Sequence, residues 1–186
     1  MHDETLDRTT TCTGTVVSKT LADLQSCKLV NGEPLRTLDD ILVQLGPMFS
    51  ILFVELKASD TRYEEQADEA VRAVLASGFA HKIVLSSYQP EINARLATRQ
   101  PDGIHAGWDD PSNDSLTLAK EAGSEWVLMP IAAVQGSEGH VATAIGKHVV
   151  AYTITTQAQF ETASRAGITV MMTDSVPTLR ALVAAQ

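Results

Sequence analysis

Three side chains whose types suit acid–base and phosphate chemistry stand at two places in the sequence. His2 lies near the start, whereas Glu55 and Lys57 follow the apolar run 51–54. Because side chains on a β-strand alternate between faces, Glu55 and Lys57 would leave the same face of a strand. A carboxylate can hold a divalent cation, a lysine can hold a phosphate, and a histidine can transfer a proton near neutral pH. The pattern therefore predicts chemistry on a phosphorylated ligand.

Simpler roles are open to the same residues when only type and position are considered. His2 would then be a solvated side chain near a terminus, and Glu55 and Lys57 would form a local ion pair. Ser86 and Ser87 lack a nearby base and a nucleophile-elbow glycine pattern, which argues against a serine hydrolase. The glycines form no phosphate-binding loop of known pattern. The remaining histidines share no metal-ligand spacing: His81, His105, His140 and His148.

Composition is that of a globular chain with an acidic balance. The 186 residues are 44% apolar and 20% charged, with a net charge of −9 and no basic patch, which excludes nucleic acid as a favoured partner. No apolar run reaches the roughly 20 residues of a membrane-spanning helix. Cys12 and Cys27 form neither a CxxC pair nor a metal-ligand spacing. We therefore expect reduced, incidental thiols and a cytoplasmic chain.

From residue 49 onward, short β-rich runs alternate with helical patterns. The clearest helical patterns cover 63–77, with an apolar stripe that includes Val71 and Leu75, and 156–166, with Phe160 and Ala163 facing inward. The β-rich runs are apolar on both faces, as in a parallel sheet covered by helices. Six βα units imply either an open doubly wound sheet or most of an eight-stranded barrel. The predicted strands are 49–56, 82–88, 103–108, 125–130, 148–154 and 168–173.

Polar residues at the carboxyl ends of these predicted strands favour the barrel. Barrel enzymes build their sites along that whole rim, whereas an open sheet uses one switch point. The rim residues, besides Glu55 and Lys57, are Ser86, Ser87, Asp109, Thr153, Thr155, Thr173 and Asp174.

Residues 1–48 differ from the repeats that follow. Polar turn chemistry fills 4–19, a short helix is predicted over 20–26, and an irregular loop spans 27–36. Thr37 is a suitable N-cap for a helix over 38–45. Asp7 and Arg8 are expected to organise the loop. No linker interrupts the chain, so 1–186 is predicted to form a single domain.

Several motifs together resemble the glycerophosphodiester phosphodiesterase family. They are the stretch 1–10 with its His2-Asp3 pair, Leu35-Arg36-Thr37-Leu38-Asp39-Asp40 and Val54-Glu55-Leu56-Lys57, followed by looser matches at 85–88, 151–154 and 172–174. The resemblance implies that His2 is a catalytic acid or base. It also implies that Glu55 is one of three carboxylate ligands of Mg²⁺ or Ca²⁺, and that Lys57 contacts the substrate phosphate.

The fold implied by this resemblance is a TIM (β/α)₈ barrel that lacks its first two strands. Segment 4–36 corresponds to the family's insertion after the second strand, and about six βα units span 49–186. The family's upstream His-Arg and Glu-x-Asp strands have no counterpart in the sequence. Tyr152 stands where the family often has tryptophan and could form an apolar wall for the glycerol end.

The activity implied is metal-dependent hydrolysis of a glycerophosphodiester to an alcohol and glycerol 3-phosphate, in lipid metabolism. A lipid phosphodiester is a second possible substrate. A degenerate member that only binds a ligand, and a fragment without a function of its own, stay open as alternatives. The expected partners are a small-molecule glycerophosphodiester and a second copy of the chain, joined through open sheet edges.

Overall fold

The computed structural model describes residues 2–57, 61–109, 123–135 and 146–185. Its strands are β1 (Leu52–Glu55), β2 (Ile83–Ser87), β3 (His105–Asp109), β4 (Trp126–Pro130), β5 (His148–Tyr152) and β6 (Val170–Met171). Its helices are α1 (Leu21–Ser26), α2 (Leu38–Leu45), α3 (Tyr63–Ser77), α4 (Pro90–Ala97), α5 (Ile131–Gln135), α6 (Gln157–Arg165) and α7 (Val176–Ala184). None of these helices is long and apolar enough to cross a membrane.

The six strands form one parallel sheet in the order in which they occur along the chain. An open doubly wound sheet reverses its strand order at a switch point, and no reversal occurs here. The sheet is curled as a half-barrel, as the sequence predicted. Within the described part of the chain, β1 and β6 each have one strand neighbour, so the sheet has two open edges.

Helices cover the outer face of the sheet and bury its outward side chains. Ile83 and Leu85 of β2 pack with Val71 and Val74 of α3 in one apolar cluster. Trp108 packs in a second cluster, together with Phe160 and Ala163 of α6, which face inward as predicted. Leu75 differs from the prediction, because it is 40% exposed.

The inner face of the sheet is tightly filled halfway along β2, β3 and β4. A Cβ atom on Gly107 would lie 3.1 Å from Leu128 Cδ1 and from Val84 Cγ1, and 3.2 Å from Ser86 Cβ. Ser86 is fully buried and Leu128 is 2% exposed. Side chains of the neighbouring strands therefore occupy the space that a larger residue at 107 would need.

Two cysteines in the segment before α2 are joined, which corrects our expectation of reduced thiols. The Cys12–Cys27 disulfide links residues whose Cα atoms lie 5.7 Å apart. The chain folds back so that Thr10 pairs with Leu29, and Thr11 N–H donates to the Lys28 carbonyl at 2.8 Å. This fold-back places the two thiols side by side, and nothing in their sequence spacing reveals it.

Loss of the disulfide is expected to destabilise this N-terminal segment. The bridge spans 15 residues, and loop-closure entropy for a loop of this length is worth about 3 kcal/mol. The Cys12→Ser/Cys27→Ser double variant should therefore lose hydrogen-exchange protection across 2–36 before the sheet does. If the unreduced, denatured wild-type chain contained two titratable thiols, the Cys12–Cys27 disulfide would be absent and this prediction would fail.

Candidate functional site

A cavity of about 1180 Å³ opens at the carboxyl ends of the strands, and we call it the mouth cavity. His2, Glu55 and Lys57 all line it, so the structure brings the three predicted site residues together. Asp109 and Tyr152 line it as well. The position matches the end of a parallel barrel where enzymes of this architecture build their sites.

Glu55 and Lys57 reach the mouth cavity because β1 ends between them. Glu55 is the last residue of β1, and Leu56 points the other way into the apolar cluster with 6% exposure. Lys57 Nζ lies 2.5 Å from Glu55 Oε1, and the two side chains are 31% and 28% exposed. Lys57 Nζ is also 6.0 Å from the centroid of the Tyr88 ring. The ammonium is thus held between a carboxylate and an aromatic face in a half-buried position.

Ser86 and Ser87 lie at the carboxyl end of β2, as predicted, but they do not line the mouth cavity. Both are fully buried. The Ser87 hydroxyl donates to the Leu56 carbonyl at 2.7 Å, and Leu56 N–H donates to the Ser86 carbonyl at 2.7 Å. Ser87 therefore fixes the backbone between Glu55 and Lys57 rather than meeting a ligand.

His2 enters the mouth cavity from the N-terminal segment and is held by its neighbour. His2 Nδ1 lies 2.9 Å from Asp3 Oδ1, and Arg8 donates to the two Asp3 oxygens at 2.6 and 2.8 Å. Arg8 and, to a lesser extent, His2 hold the pKa of the Asp3 carboxyl well below its usual range. An ionised carboxylate only accepts hydrogen bonds, so the Nδ1 of His2 carries the proton. The Nε2 atom is left as the proton acceptor.

Arg8 thus binds Asp3 of the His2-Asp3 pair and does not organise the loop. Asp7 organises the N-terminal segment as expected, because its carboxylate accepts a hydrogen bond from Gly14 N–H at 3.0 Å.

Replacing Arg8 by methionine is expected to raise the pKa of Asp3 towards its ordinary value of 3.8. Because the lowered pKa belongs to the folded state, its stabilising effect is present above pH 3.8 and is lost as the pH falls below it. Carbon-detected NMR titration of the Asp3 carboxyl measures this shift. Identical titration curves for wild type and Arg8→Met would contradict the pairing.

The rest of the mouth-cavity wall comes from β3, β5 and the chain around β6. Tyr152 donates its hydroxyl hydrogen to Asp109 Oδ1 at 3.0 Å. Rim residues Thr153, Thr173 and Asp174 also line the cavity, as predicted. Thr155 does not, because it bonds to Gln159 at the start of α6. Sequence reasoning missed Tyr88 and Arg180 as lining residues. Tyr88 directly follows a strand, which could have signalled it, whereas Arg180 lies on a helix.

The described residues do not fit a complete site for a divalent cation. Among them, no group of three histidine, cysteine or acidic side chains lies close enough to share a metal ion. Glu55 already pairs with Lys57 through Oε1. Mg²⁺ and Ca²⁺ need about six or more oxygen ligands, several of them from the protein. Glu55 could supply one carboxylate to such a set, and the other protein ligands would have to come from outside the described residues.

A second cavity of about 570 Å³ lies at the amino ends of the strands, and we call it the base cavity. His81 and His148 line it, as expected for residues on the face opposite the site. The Trp126 ring stacks on the His148 ring at a centroid distance of 4.6 Å. His105 Nδ1 pairs with Glu125 at 2.9 Å. These contacts account for His148 as a packing group and for His105 as an ion-pair group.

Comparison with known proteins gives the family. The family described as "Glycerophosphoryl diester phosphodiesterase family" matches residues 1–178. The chain belongs to this family. A comparison with curated proteins found no match.

Solved structures of glycerophosphodiester phosphodiesterases share the fold of the chain. A glycerophosphodiester phosphodiesterase from Parabacteroides distasonis aligns with a TM-score of 0.84 at 21% identity, over 100% of this chain and 78% of that one. An Oleispira antarctica phosphodiesterase in complex with the product sn-glycerol-3-phosphate aligns with a TM-score of 0.82 at 18% identity, over 99% and 78%. A glycerophosphodiester phosphodiesterase from Agrobacterium tumefaciens aligns with a TM-score of 0.79 at 18% identity, over 99% and 79%. The half-barrel is therefore part of the family's TIM barrel.

Proposed function

We propose that the mouth cavity is part of a site that hydrolyses glycerophosphodiesters to an alcohol and glycerol 3-phosphate, in lipid metabolism. The observation that carries this proposal is the meeting of His2, Glu55 and Lys57 in one cavity at the carboxyl ends of the strands. Family membership supports it. The relative from Oleispira antarctica, whose structure is a complex with sn-glycerol-3-phosphate, supports the choice of ligand.

Lys57 binds the substrate phosphate in this proposal. A phosphodiester resists attack because its anionic oxygens repel nucleophiles, so positive charge next to those oxygens lowers the barrier. The Lys57 ammonium is half-buried and faces the cavity. Its contact with Glu55 holds it in place, and a phosphate oxygen would take a position beside the same ammonium. A compact ammonium with three donors can serve both partners.

His2 transfers a proton in the reaction. Asp3 fixes the ring through Nδ1, so the Nε2 atom is the one that can exchange a proton with the substrate or with water. The leaving alcohol needs a proton, and the attacking hydroxyl must lose one. His2 serves as either the acid or the base of this pair.

A divalent cation, Mg²⁺ or Ca²⁺, remains part of the proposal through Glu55. A bound cation would neutralise phosphate oxygens and acidify a bound water or hydroxyl. Because the described residues offer no complete ligand set, the chain alone is expected to hydrolyse glycerophosphocholine negligibly. Direct binding of the product is therefore the more sensitive measurement.

The test is calorimetric titration of the chain with sn-glycerol 3-phosphate, accompanied by an assay of its release from glycerophosphocholine with Mg²⁺ or Ca²⁺. We expect one-to-one binding of the product and little release. Absence of binding would refute the proposal. Measurable release that Glu55→Ala abolishes would refute the expectation of negligible turnover and would indicate a site completed between molecules.

A ligand-binding member without turnover is the second candidate. The Glu55–Lys57 pair favours it, because a carboxylate neutralised by lysine is a poorer metal ligand. Binding of sn-glycerol 3-phosphate with negligible release fits both candidates, whereas measurable release that Glu55→Ala abolishes would exclude the binding module.

We also propose that the chain associates with a second copy through its open sheet edges. Unpaired strand edges offer backbone donors and acceptors to another chain. Exposed apolar side chains lie on the segments next in the chain to both edge strands. Val43 and Met48 precede β1 with 73% and 79% exposure, and Val176 and Val183 lie on α7 after β6 with 61% and 56% exposure.

The cytoplasmic location stays a prediction, and the Cys12–Cys27 disulfide weighs against it. Disulfides persist mainly in oxidising compartments, whereas cytosolic thiols are kept reduced. The chain can be expressed with and without a secretion signal, and its free thiols then labelled. Folded protein without free thiols only in the secreted form would indicate an oxidising compartment, whereas folded protein with two free thiols in the cytosol would support the cytoplasmic prediction.

A further inference from the structure

Lys57 lies two residues beyond the end of β1, so the strand alone does not fix the direction of its side chain. β1 ends at Glu55. The direction of the Lys57 Cα–Cβ bond depends on the two peptide groups that flank its Cα, because their orientation sets the φ and ψ angles of the residue. The oxygens of these groups are the carbonyls of Leu56 and Lys57. Each of them accepts a hydrogen bond from a side chain of a different element.

Ser87, at the end of β2, holds the first of these two peptide groups. Its hydroxyl donates to the Leu56 carbonyl at 2.7 Å, and the residue is fully buried. The same hydroxyl oxygen accepts Gln89 N–H at 3.1 Å, and the Asn93 side chain donates to the Ser87 carbonyl at 2.5 Å. The Ser87 hydroxyl is therefore fixed by its own surroundings, independently of Lys57.

Gln66, the fourth residue of α3, holds the second peptide group. Its Nε2 atom donates to the Lys57 carbonyl at 2.9 Å, and its side chain is half-buried. Ala67 and Val71, which follow on the same helix, are buried in the apolar cluster with 0% and 1% exposure. Packing of α3 against the sheet thus fixes the backbone of Gln66. The hydrogen bond spans nine residues and ties the start of α3 to the rim of the mouth cavity.

We infer that Gln66 and Ser87 are positioning residues for the phosphate-binding lysine. The inference rests on the proposed function of Lys57. Both residues belong to the described part of the chain and neither lines the mouth cavity, so they act on a ligand only through Lys57. Their two hydrogen bonds set where the lysine side chain starts, and the ion pair with Glu55 sets where its ammonium lies. A lysine that is ordered before the ligand arrives costs less entropy to order during binding.

The test is a double-mutant cycle that combines Gln66→Met with Lys57→Met and measures the affinity for sn-glycerol 3-phosphate by NMR titration. Methionine is unbranched and a good helix former like glutamine, but it has no amide donor. We expect Gln66→Met to weaken binding by about twofold to tenfold, the effect of ordering one contact side chain during binding. In the Lys57→Met background the same change should have no effect, because the side chain that Gln66 positions is gone.

Ser87→Ala removes the other hydrogen bond and should act in the same way as Gln66→Met, again only when Lys57 is present. Gln100→Met is the matched control. The Gln100 Nε2 atom donates to the Gly123 carbonyl at 3.0 Å, a bond of the same kind as that of Gln66, and Gln100 does not line the mouth cavity. Its replacement should leave the affinity unchanged.

A purely structural role for Gln66 gives a different result in this cycle. Gln66→Met would then lower the unfolding temperature without changing the affinity, or it would weaken binding by the same factor in both backgrounds. Either result would overturn the inference. If the wild type binds sn-glycerol 3-phosphate and Gln66→Met binds it equally well, only this inference fails. If the wild type does not bind it, the proposed function fails, and the inference fails with it.

Discussion

Replacing Lys57 by methionine is expected to weaken the binding of sn-glycerol 3-phosphate by at least about tenfold. A hydrogen bond to a charged group contributes about 1.5–3 kcal/mol, and about 1.4 kcal/mol corresponds to a factor of ten. Lys57 Nζ is half-buried and lines the mouth cavity, so its charge is less screened than that of a surface lysine. Calorimetric titration of both proteins in metal-free buffer measures the change.

Two further variants give this prediction its controls. Lys82→Met removes a lysine that lines the base cavity, and it should leave the affinity unchanged. Glu55→Gln removes a negative charge beside the Lys57 ammonium, and it should raise the affinity for the anionic ligand in metal-free buffer because the charge repulsion is lost. Equal affinities for wild type and Lys57→Met would show that Lys57 does not contact the phosphate. Circular dichroism of each variant checks that the fold is kept.

Self-association should be visible as a dimer or larger species at micromolar concentration. In the part of the chain that the structure describes, the sheet has an open edge at β1 and another at β6, and pairing or covering them removes exposed backbone groups from solvent. Sedimentation velocity is the direct measurement. The Met48→Lys/Val183→Lys double variant should shift the chain towards monomer, because charge next to an open edge opposes pairing.

Val30→Lys is the matched control for the association experiment. Val30 is 74% exposed but lies in the N-terminal segment, away from the edge strands in the chain. It should leave the sedimentation pattern unchanged. A wild-type monomer with a sharp, high thermal transition would argue that the open edges are stable without a partner.

The sheet could be predicted because every strand is a run of apolar residues bounded by polar ones. All six strands lie within or one residue beyond their predicted ranges, and their order follows from the repeating βα pattern. The sixth is shorter, since pairing covers only Val170–Met171 of the predicted 168–173. Strand length depends on which backbone groups find a neighbour, and a single sequence does not contain that information.

Part of the site could likewise be predicted from local sequence, whereas the rest depends on contacts between distant parts of the chain. Period-two alternation alone places Glu55 and Lys57 on one face, and the structure confirms that arrangement. The arrival of His2 beside them depends on how the N-terminal segment folds over the sheet. The Cys12–Cys27 disulfide depends on the same fold-back, so the spacing of the cysteines could not reveal it. The Ser87 hydroxyl donates to the Leu56 carbonyl just after the neighbouring strand β1, and the sequence around Ser87 does not contain that contact.

The dense packing around Gly107 separates the mouth cavity from the base cavity, and this separation determines which spectroscopic signal can report ligand binding. Val84, Ser86 and Leu128 close the inner face between the two ends of β2–β4. Neither tryptophan of the sequence lines the mouth cavity, since one stacks on His148 at the base cavity and the other packs in an apolar cluster with the outer helices. We therefore expect intrinsic tryptophan fluorescence to change little when a ligand binds in the mouth cavity. An optical reporter has to be built into the chain, and Tyr88→Trp is the natural position for it.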